Sequence, residues 1–151
     1  MREIIFRGKR LDNGEWAEGY LYEHEPELVG IVSENDVPEP SKWFIARTAF
    51  ADWNMPRLAE FIEVDPYTVG QYTGLKDKHG KKIFEGDILL LDDIKGIVNY
   101  GTGCFCVELP GPDYLYHNNP AIDMVLNEYP GLEIIGNIHD NAELLEEEVQ
   151  T

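Results

Sequence analysis

The feature that most constrains the fold is a series of short apolar runs separated by glycine turns. Four runs have the length of a short β-strand: Val69–Gly74, Ile88–Leu91, Ile97–Tyr100 and Cys104–Leu109. The turns between them are Lys76–Gly80, Asp92–Gly96 and Gly101–Gly103. Glycine tolerates positive φ, so these connections allow tight reversals of the chain. The pattern predicts a small β barrel, a form that leaves few sheet edges exposed.

Within this series, Glu85-Gly86-Asp87 directly precedes the most apolar run. Carboxylates at positions i and i+2 raise the question of a catalytic pair, because like charges in proximity shift pKa values. A turn explains more of the pattern, since Gly86 can bend the chain and Asp87 can accept backbone N–H groups as the strand begins. We therefore interpret Gly86 and Asp87 as a structural turn.

The N-terminal segment predicts a β-hairpin. Glu3–Arg7 reads as a strand with Ile4 and Phe6 on one face, and Trp16–Tyr22 reads as its partner. The turn Asp12-Asn13-Gly14 between them contains residues that accept positive φ.

The region after the hairpin is mixed. Leu28–Val32 is a third apolar run, and the acidic, proline-containing segment 33–41 predicts an exposed loop. Trp43–Ile45 and Glu60–Val64 favour strands, whereas Ala46–Trp53 favours a helix that Pro56 would limit.

Asp65-Pro66 breaks the chain, so we predict an N-terminal α+β subdomain at 1–66 and a barrel subdomain at 67–151. Residues 110–131 are a proline-containing insertion in which Ala121–Glu128 favours a short helix. Leu132–Ile138 predicts a closing strand, and a short C-terminal helix follows, capped by Asp140 or Asn141. The predicted class is α+β, mostly β.

The charge of the chain argues against nucleic-acid binding. The net charge is −17, and the segment from Gly96 to Thr151 contains no Lys or Arg. Affinity for nucleic acids depends largely on cations that displace counterions from phosphates, so we expect no direct nucleic-acid binding. An acidic surface can instead imitate nucleic acid toward a basic protein, although a solvated acidic face is the commoner explanation.

Sequence signals for catalysis and metal binding are weak. The chain has no HExxH, Walker, GxSxG or GxGxxG motif, and we expect no cofactor and no metal. Cys104 and Cys106 share one face of a strand, where an ordinary disulfide is too constrained and a zinc site lacks a second pair, so we interpret them as inert thiols. The enzymatic alternative is a small hydrolase or nuclease with a divalent metal. Its ligands would be Asp87 with Asp92, Asp93 or His139.

Two further expectations follow from hydropathy and aromatic content. No apolar run approaches the ~20 residues of a membrane span, and no signal-peptide pattern begins the chain. These observations favour a cytoplasmic protein without membrane contact. The tyrosines and tryptophans either form a recognition surface or fill a β core, and core packing is the commoner use.

Three stretches carry a resemblance to a known family. They are IIFRGKRLDNGEW, VGQYTGLKDKHGKKIFEGDILLL and EIIGNIHDNAELL, in that order. Together they resemble the YopX family of phage and prophage proteins. The resemblance implies an N-terminal α+β part followed by an SH3-like β barrel, and it implies no catalytic residues.

The resemblance and the charge lead to three functional hypotheses. The first is a phage-encoded accessory protein that acts through protein–protein contacts, as a homo-oligomer or with a host or phage protein. The second is an acidic nucleic-acid mimic that binds a basic host protein. The third is the metal-dependent hydrolase or nuclease described above.

Overall fold

The computed structural model describes residues 2–26, 40–48, 59–101, 103–110 and 119–146. Its contacts divide the chain into two compact units, one formed by Ile5–Val69 and the other by Met1–Ile4 with Gly70–Thr151. These contacts do not test whether either unit folds independently, so the division into subdomains 1–66 and 67–151 stays a prediction. The third apolar run, most of the acidic loop and residues 111–118 of the insertion lie outside the described residues.

The unit Ile5–Val69 contains four strands, β1 (Phe6–Lys9), β2 (Trp16–His24), β3 (Lys42–Thr48) and β4 (Ala59–Val64), followed by a 3₁₀ turn at Pro66–Thr68. The strands are antiparallel and lie in the order β4-β3-β2-β1. Alternate side chains of β2 to β4 form a small core of Ala17, Ile45, Ile62 and Val64. A single bridge between Arg10 and Val64 brings the end of β4 beside the end of β1.

The predicted hairpin is confirmed, since β1 pairs with β2 in the register Phe6–Gly19 to Lys9–Trp16. Its first strand begins at Phe6 and not at Glu3, and Ile5 is buried where Ile4 is half exposed. The strands predicted around Trp43–Ile45 and Glu60–Val64 are confirmed. The helical prediction for Ala46–Trp53 is wrong for residues 46–48, which lie in β3; residues 49–53 lie outside the described residues.

The unit that begins at Gly70 contains a hairpin, a four-stranded sheet and two short helices. The hairpin consists of β5 (Gly70–Lys76) and β6 (Lys82–Phe84). The antiparallel sheet has the order β10-β7-β8-β9, formed by β7 (Asp87–Leu91), β8 (Ile94–Gly101), β9 (Cys104–Glu108) and β10 (Glu133–Asn137). The helices are α1 (Ile122–Glu128) and α2 (Glu143–Glu146).

The core of this unit lies between the sheet and α1. Its buried residues are Ile83, Leu89, Leu91, Val98, Phe105, Val107, Ile122, Val125 and Leu132. Gly96 lies inside β8 opposite Leu89, so the predicted turn Asp92–Gly96 is shorter than expected. Asp92 adopts a φ of 56°, and the reversal is complete by Ile94. The mostly β class is confirmed, whereas the sheet is open and an SH3-like barrel is not confirmed.

Candidate functional site

The Glu85–Asp87 turn joins four strands of one unit. Gly86 has a φ of +86°, donates its N–H to Val98 O at 2.8 Å and accepts Ile138 N–H at 2.9 Å. Asp87 is 1% exposed, and its Oδ2 accepts the N–H of Phe84 at 2.8 Å. The turn thus binds β8 and the end of β10 through backbone hydrogen bonds, and the Asp87 side chain binds the end of β6. The interpretation of Gly86 and Asp87 as a structural turn stays a prediction, which substitution of these residues tests.

Glu85 uses its carboxylate to hold a neighbouring strand. Its side chain is half-buried, and its Oε2 accepts the N–H of Gln71 at 2.9 Å. Its own N–H donates to Gln71 O at 3.0 Å. Glu85 therefore holds β5 to the turn.

The hypothesised metal ligands lie at both ends of β7. Asp87 begins the strand and Asp92 follows its last residue, so about five residues at about 3.3 Å each separate them. Asp92 and Asp93 are exposed in the following turn. Of the hypothesised ligands, only His139 lies near the Glu85–Asp87 turn, with its Nε2 3.6 Å from the position a Cβ would take at Gly86. No group of three metal-ligating side chains occurs among the described residues.

Asp77 is a buried carboxylate whose role sequence reasoning missed. Its Oδ1 accepts the N–H groups of His79 and Lys81, each at 2.9 Å, and its Oδ2 accepts that of Ile134 at 3.1 Å. Burial acts to raise the pKa of Asp77, but the three N–H donors outweigh it and the pKa is lowered. The spacing Asp-x-x-Gly at 77–80, typical of a turn in which Asp binds backbone groups, was the available signal.

The loop around Asp77 is further held to β10. Glu133 Oε2 lies 3.2 Å from His79 Nε2 and 3.4 Å from Lys78 Nζ. The hydrogen bonds from His79 and Lys78 lower the pKa of Glu133. These groups are solvent-accessible, so the cluster positions a loop and presents no enclosed site.

The third sequence stretch also organises a turn. Asn137 Oδ1 accepts the N–H groups of His139 and Asp140 at 3.0 and 2.9 Å. Asn141 Oδ1 accepts Asn137 N–H at 3.2 Å, and Asp140 Oδ2 accepts from Asn137 Nδ2 at 3.2 Å. The two residues expected to cap α2 therefore direct these side-chain bonds back to Asn137.

The outward side of the sheet in Ile5–Val69 carries a set of aromatic side chains that we call the aromatic face. It consists of Trp16, Tyr20, Tyr22, Phe44 and Phe61, which the register places on the side opposite the core. The ring of Tyr22 lies 5.9 Å from that of Phe61 in an edge-to-face arrangement and 6.3 Å from that of Phe44. Tyr20 is 69% exposed, Phe61 56% and Tyr22 47%. Core packing, the commoner use of aromatics, does not describe these residues.

Cations border one end of the aromatic face. The Arg7 guanidinium lies 4.6 Å from the centre of the Trp16 ring, and Lys9 Nζ lies 5.6 Å from it. Both distances are within the range of cation–π attraction. Glu18 lies directly opposite Arg7 in the sheet, so the border carries both signs of charge.

A pocket of about 360 Å³ lies along β4 in the same unit. It is lined by Arg10, Leu11, Asp12 and residues 60–63. Arg10 binds Asp12 through two hydrogen bonds of 2.9 and 2.7 Å, and this contact lowers the pKa of Asp12. The cation of the pocket is thus already paired with a carboxylate of its own turn.

The two cysteines lie side by side on β9. Cys104 is exposed, Cys106 is buried, and both are free thiols with their Sγ atoms 3.4 Å apart. Burial raises the pKa of the Cys106 thiol, and the neighbouring Cys104 adds to this effect.

Comparison with known proteins gives the family. A family model described as YopX protein matches residues 6–146. The chain belongs to the YopX family. The resemblance drawn from the three sequence stretches is therefore confirmed.

A search of the solved structures adds a relative of the same fold. The YopX chain is similar to the crystal structure of protein EF1440 from Enterococcus faecalis, with 25% sequence identity and a TM-score of 0.51. The match covers 96% of this chain and 99% of that one. The curated proteins gave no match. No helix among the described residues of the YopX chain has the length and hydropathy needed to cross a membrane.

Proposed function

We propose that this YopX protein is a phage- or prophage-encoded accessory protein that acts through protein–protein contacts in the bacterial cytoplasm. We propose further that the partner bound at its aromatic face is a second copy of the same chain. The observation that carries the proposal is the contact of the exposed Tyr22 ring on β2 with the exposed Phe61 ring on β4 and the half-buried Phe44 ring on β3. Single exposed apolar residues are ordinary, whereas a contiguous set is typical of an interaction surface. Buried aromatic anchors supply much of the binding energy of protein interfaces.

The charges of this face support a second copy as the occupant. Arg7, Lys9 and Lys42 lie on the same side of the sheet as Glu18 and Glu63, as the strand register requires. A two-fold interface brings each residue of one copy against a different residue of the other, so a face with both signs can pair with itself. The net charge of −17 opposes that association over longer distances.

The salt dependence of association tests this proposal. Salt screens the mutual repulsion of two acidic chains, with a Debye length of about 10 Å at 0.1 M, so self-association should strengthen as salt is added. Sedimentation velocity across a protein dilution series, at low and high salt, measures it. A monomer at every concentration and salt would refute the second copy as partner.

Two variants and a matched control locate the contact. Tyr20→Ser and Phe61→Ser should each weaken the dimer about tenfold or more, as truncation of an interface anchor does. Tyr67→Ser is the control, because Tyr67 belongs to the same unit, is 88% exposed and lies outside the aromatic face. If all three variants weakened the dimer equally, the aromatic face would not be the interface.

The acidic balance supports a second candidate, a nucleic-acid mimic that binds a basic host protein. The lack of Lys and Arg from Gly96 to Thr151 favours it. Attraction between opposite charges weakens with salt, so binding to a basic protein should weaken as salt is added, whereas self-association should strengthen. Capture of a nucleic-acid-binding protein from host lysate, released by salt and unaffected by Tyr20→Ser, would favour this candidate over the first.

The metal-dependent hydrolase has less support, since Asp92 and Asp93 lie at the opposite end of β7 from Asp87 and His139. Millimolar Mg²⁺ or Mn²⁺ that raised the melting temperature by mass action, together with cleavage of DNA or RNA, would revive it. An SH3-like relationship of the C-terminal part remains part of our proposal. It is supported by short antiparallel strands joined by tight turns.

A further inference from the structure

Cys104 and Cys106 occupy alternate positions of β9, on the side opposite the core residues Phe105 and Val107. Their Sγ atoms are 3.4 Å apart, and each also lies near Gly101 O, at 3.8 and 3.7 Å. Two thiols are therefore held in van der Waals contact by one extended strand.

This distance is short enough for a bond to form by local adjustment. A disulfide has an S–S length of about 2.05 Å, so the two sulfurs must approach by about 1.4 Å. Two residues of strand rise span about 6.7 Å, which is the upper end of the Cα separation of about 4.4–6.8 Å seen in disulfides. The bond is thus attainable but strained, and strain makes a disulfide easier to reduce.

The two thiols differ in solvent accessibility, and this difference determines which of them reacts first with a reagent from solvent. Cys104 is exposed and can meet a reagent from solvent, whereas Cys106 is 2% exposed and can be reached through Cys104. Directly opposite Cys106 on β8, Asn99 has a buried Oδ1 for which the described part of the chain supplies no hydrogen-bond partner. A polar acceptor is thus present on the neighbouring strand beside the pair.

We propose that Cys104 and Cys106 form a reversible dithiol–disulfide site that exchanges with small disulfides of the glutathione class. The Cys104 thiolate attacks one sulfur of the small disulfide and expels its other half as a thiolate. Cys106 then gives its proton to solvent, attacks the Cys104 sulfur and expels the second half. Two protein thiols are oxidised, and one small disulfide is reduced to two thiols.

Incubation of the full chain in buffers of varied oxidised-to-reduced glutathione ratio tests the site. After acid quenching and alkylation, intact mass and peptide mapping should show one disulfide within the β9 peptide, with a mass loss of two hydrogens. Return to excess reduced glutathione should restore both thiols. A chain that stays fully reduced in excess oxidised glutathione, or that ends as a disulfide-linked dimer, would overturn the proposal.

Single-cysteine variants separate the two steps. Cys106→Ser should stop at a stable glutathione adduct on Cys104, because the resolving sulfur is missing. Cys104→Ser should acquire little or no adduct while folded and should react fully in urea, because Cys106 is buried. An unresolved adduct on the wild-type chain, as in Cys106→Ser, would show that the pair does not close.

Discussion

Replacement of Gly86 by alanine tests whether the central turn depends on its backbone conformation. A Cβ at this position would lie 3.5 Å from Ile138 Cγ1 and 3.6 Å from His139 Nε2, which are ordinary contacts. The cost therefore comes from the φ of +86°, and a left-handed conformation costs an L-residue about 1–2 kcal/mol. With a urea m-value of about 2 kcal/mol/M, the midpoint should fall by about 0.5–1 M.

The assay and its control follow from the positions of the chromophores. The three tryptophans all lie in residues 5–69, so urea unfolding should be followed by far-UV circular dichroism, which also reports the strands around the turn. Gly131→Ala is the control, because Gly131 is in the same unit, has open space at Cβ and lacks a left-handed φ. It should match or slightly exceed wild type, since alanine restricts the unfolded chain. If Gly86→Ala had the same urea midpoint as Gly131→Ala, the explanation based on the positive φ of Gly86 would be refuted.

Three further substitutions test the carboxylates that hold turns. Asp87→Ala removes the buried acceptor of Phe84 N–H and should cost about 1–3 kcal/mol in a urea titration. Glu85→Ala should cost about 0.5–1.5 kcal/mol through its bond to Gln71, and a neutral result would show that this bond does not contribute to stability. Because the pKa of Asp77 is lowered in the folded chain, its contribution is present above the unfolded value of about 3.9 and is lost as pH falls through the folded value. Asp77→Asn should therefore be less stable than wild type at pH 7, with a gap that narrows in thermal melts toward acid pH; a gap independent of pH would contradict the assignment.

The strands and turns were predictable where period and turn chemistry agreed. The apolar run Ile88–Leu91 and the glycine before it determine β7 and its entry. The predicted strand Glu3–Arg7 begins before the observed one, which starts at Phe6. The adjacent isoleucines at positions 4 and 5 give no alternation, and only tertiary packing determines that Ile5 is the buried one. Gly96 was assigned to a turn on its propensity. A Cβ there would overlap Val107 Cγ1, so β8 needs a glycine where the Val107 side chain of β9 approaches.

The candidate sites were less predictable because they depend on strand register. Tyr22, Phe44 and Phe61 are separated by many residues, and their rings meet only because β2, β3 and β4 pair in one particular register. The sequence contains these aromatic residues, but it does not indicate which side of the sheet each of them occupies. The spacing of the cysteines correctly predicts that they share one face of a strand, but the 3.4 Å distance between their Sγ atoms is a result of side-chain geometry.

The positions of these features relative to the family stretches indicate how function is distributed in the chain. The stretches 69–91 and 133–145 contain Asp77, Asp87 and Asn137, whose side chains bind backbone groups at turns. Such residues specify a fold and leave little for a partner to contact. Apart from Trp16, the aromatic face lies outside all three stretches, as do both cysteines. Transfer of Tyr20, Tyr22, Phe44 and Phe61 to the matching strand positions of another YopX protein should therefore transfer the proposed self-association, measurable by sedimentation, without loss of the acceptor fold. An acceptor that folds and stays monomeric would show that these aromatic residues are insufficient for the contact.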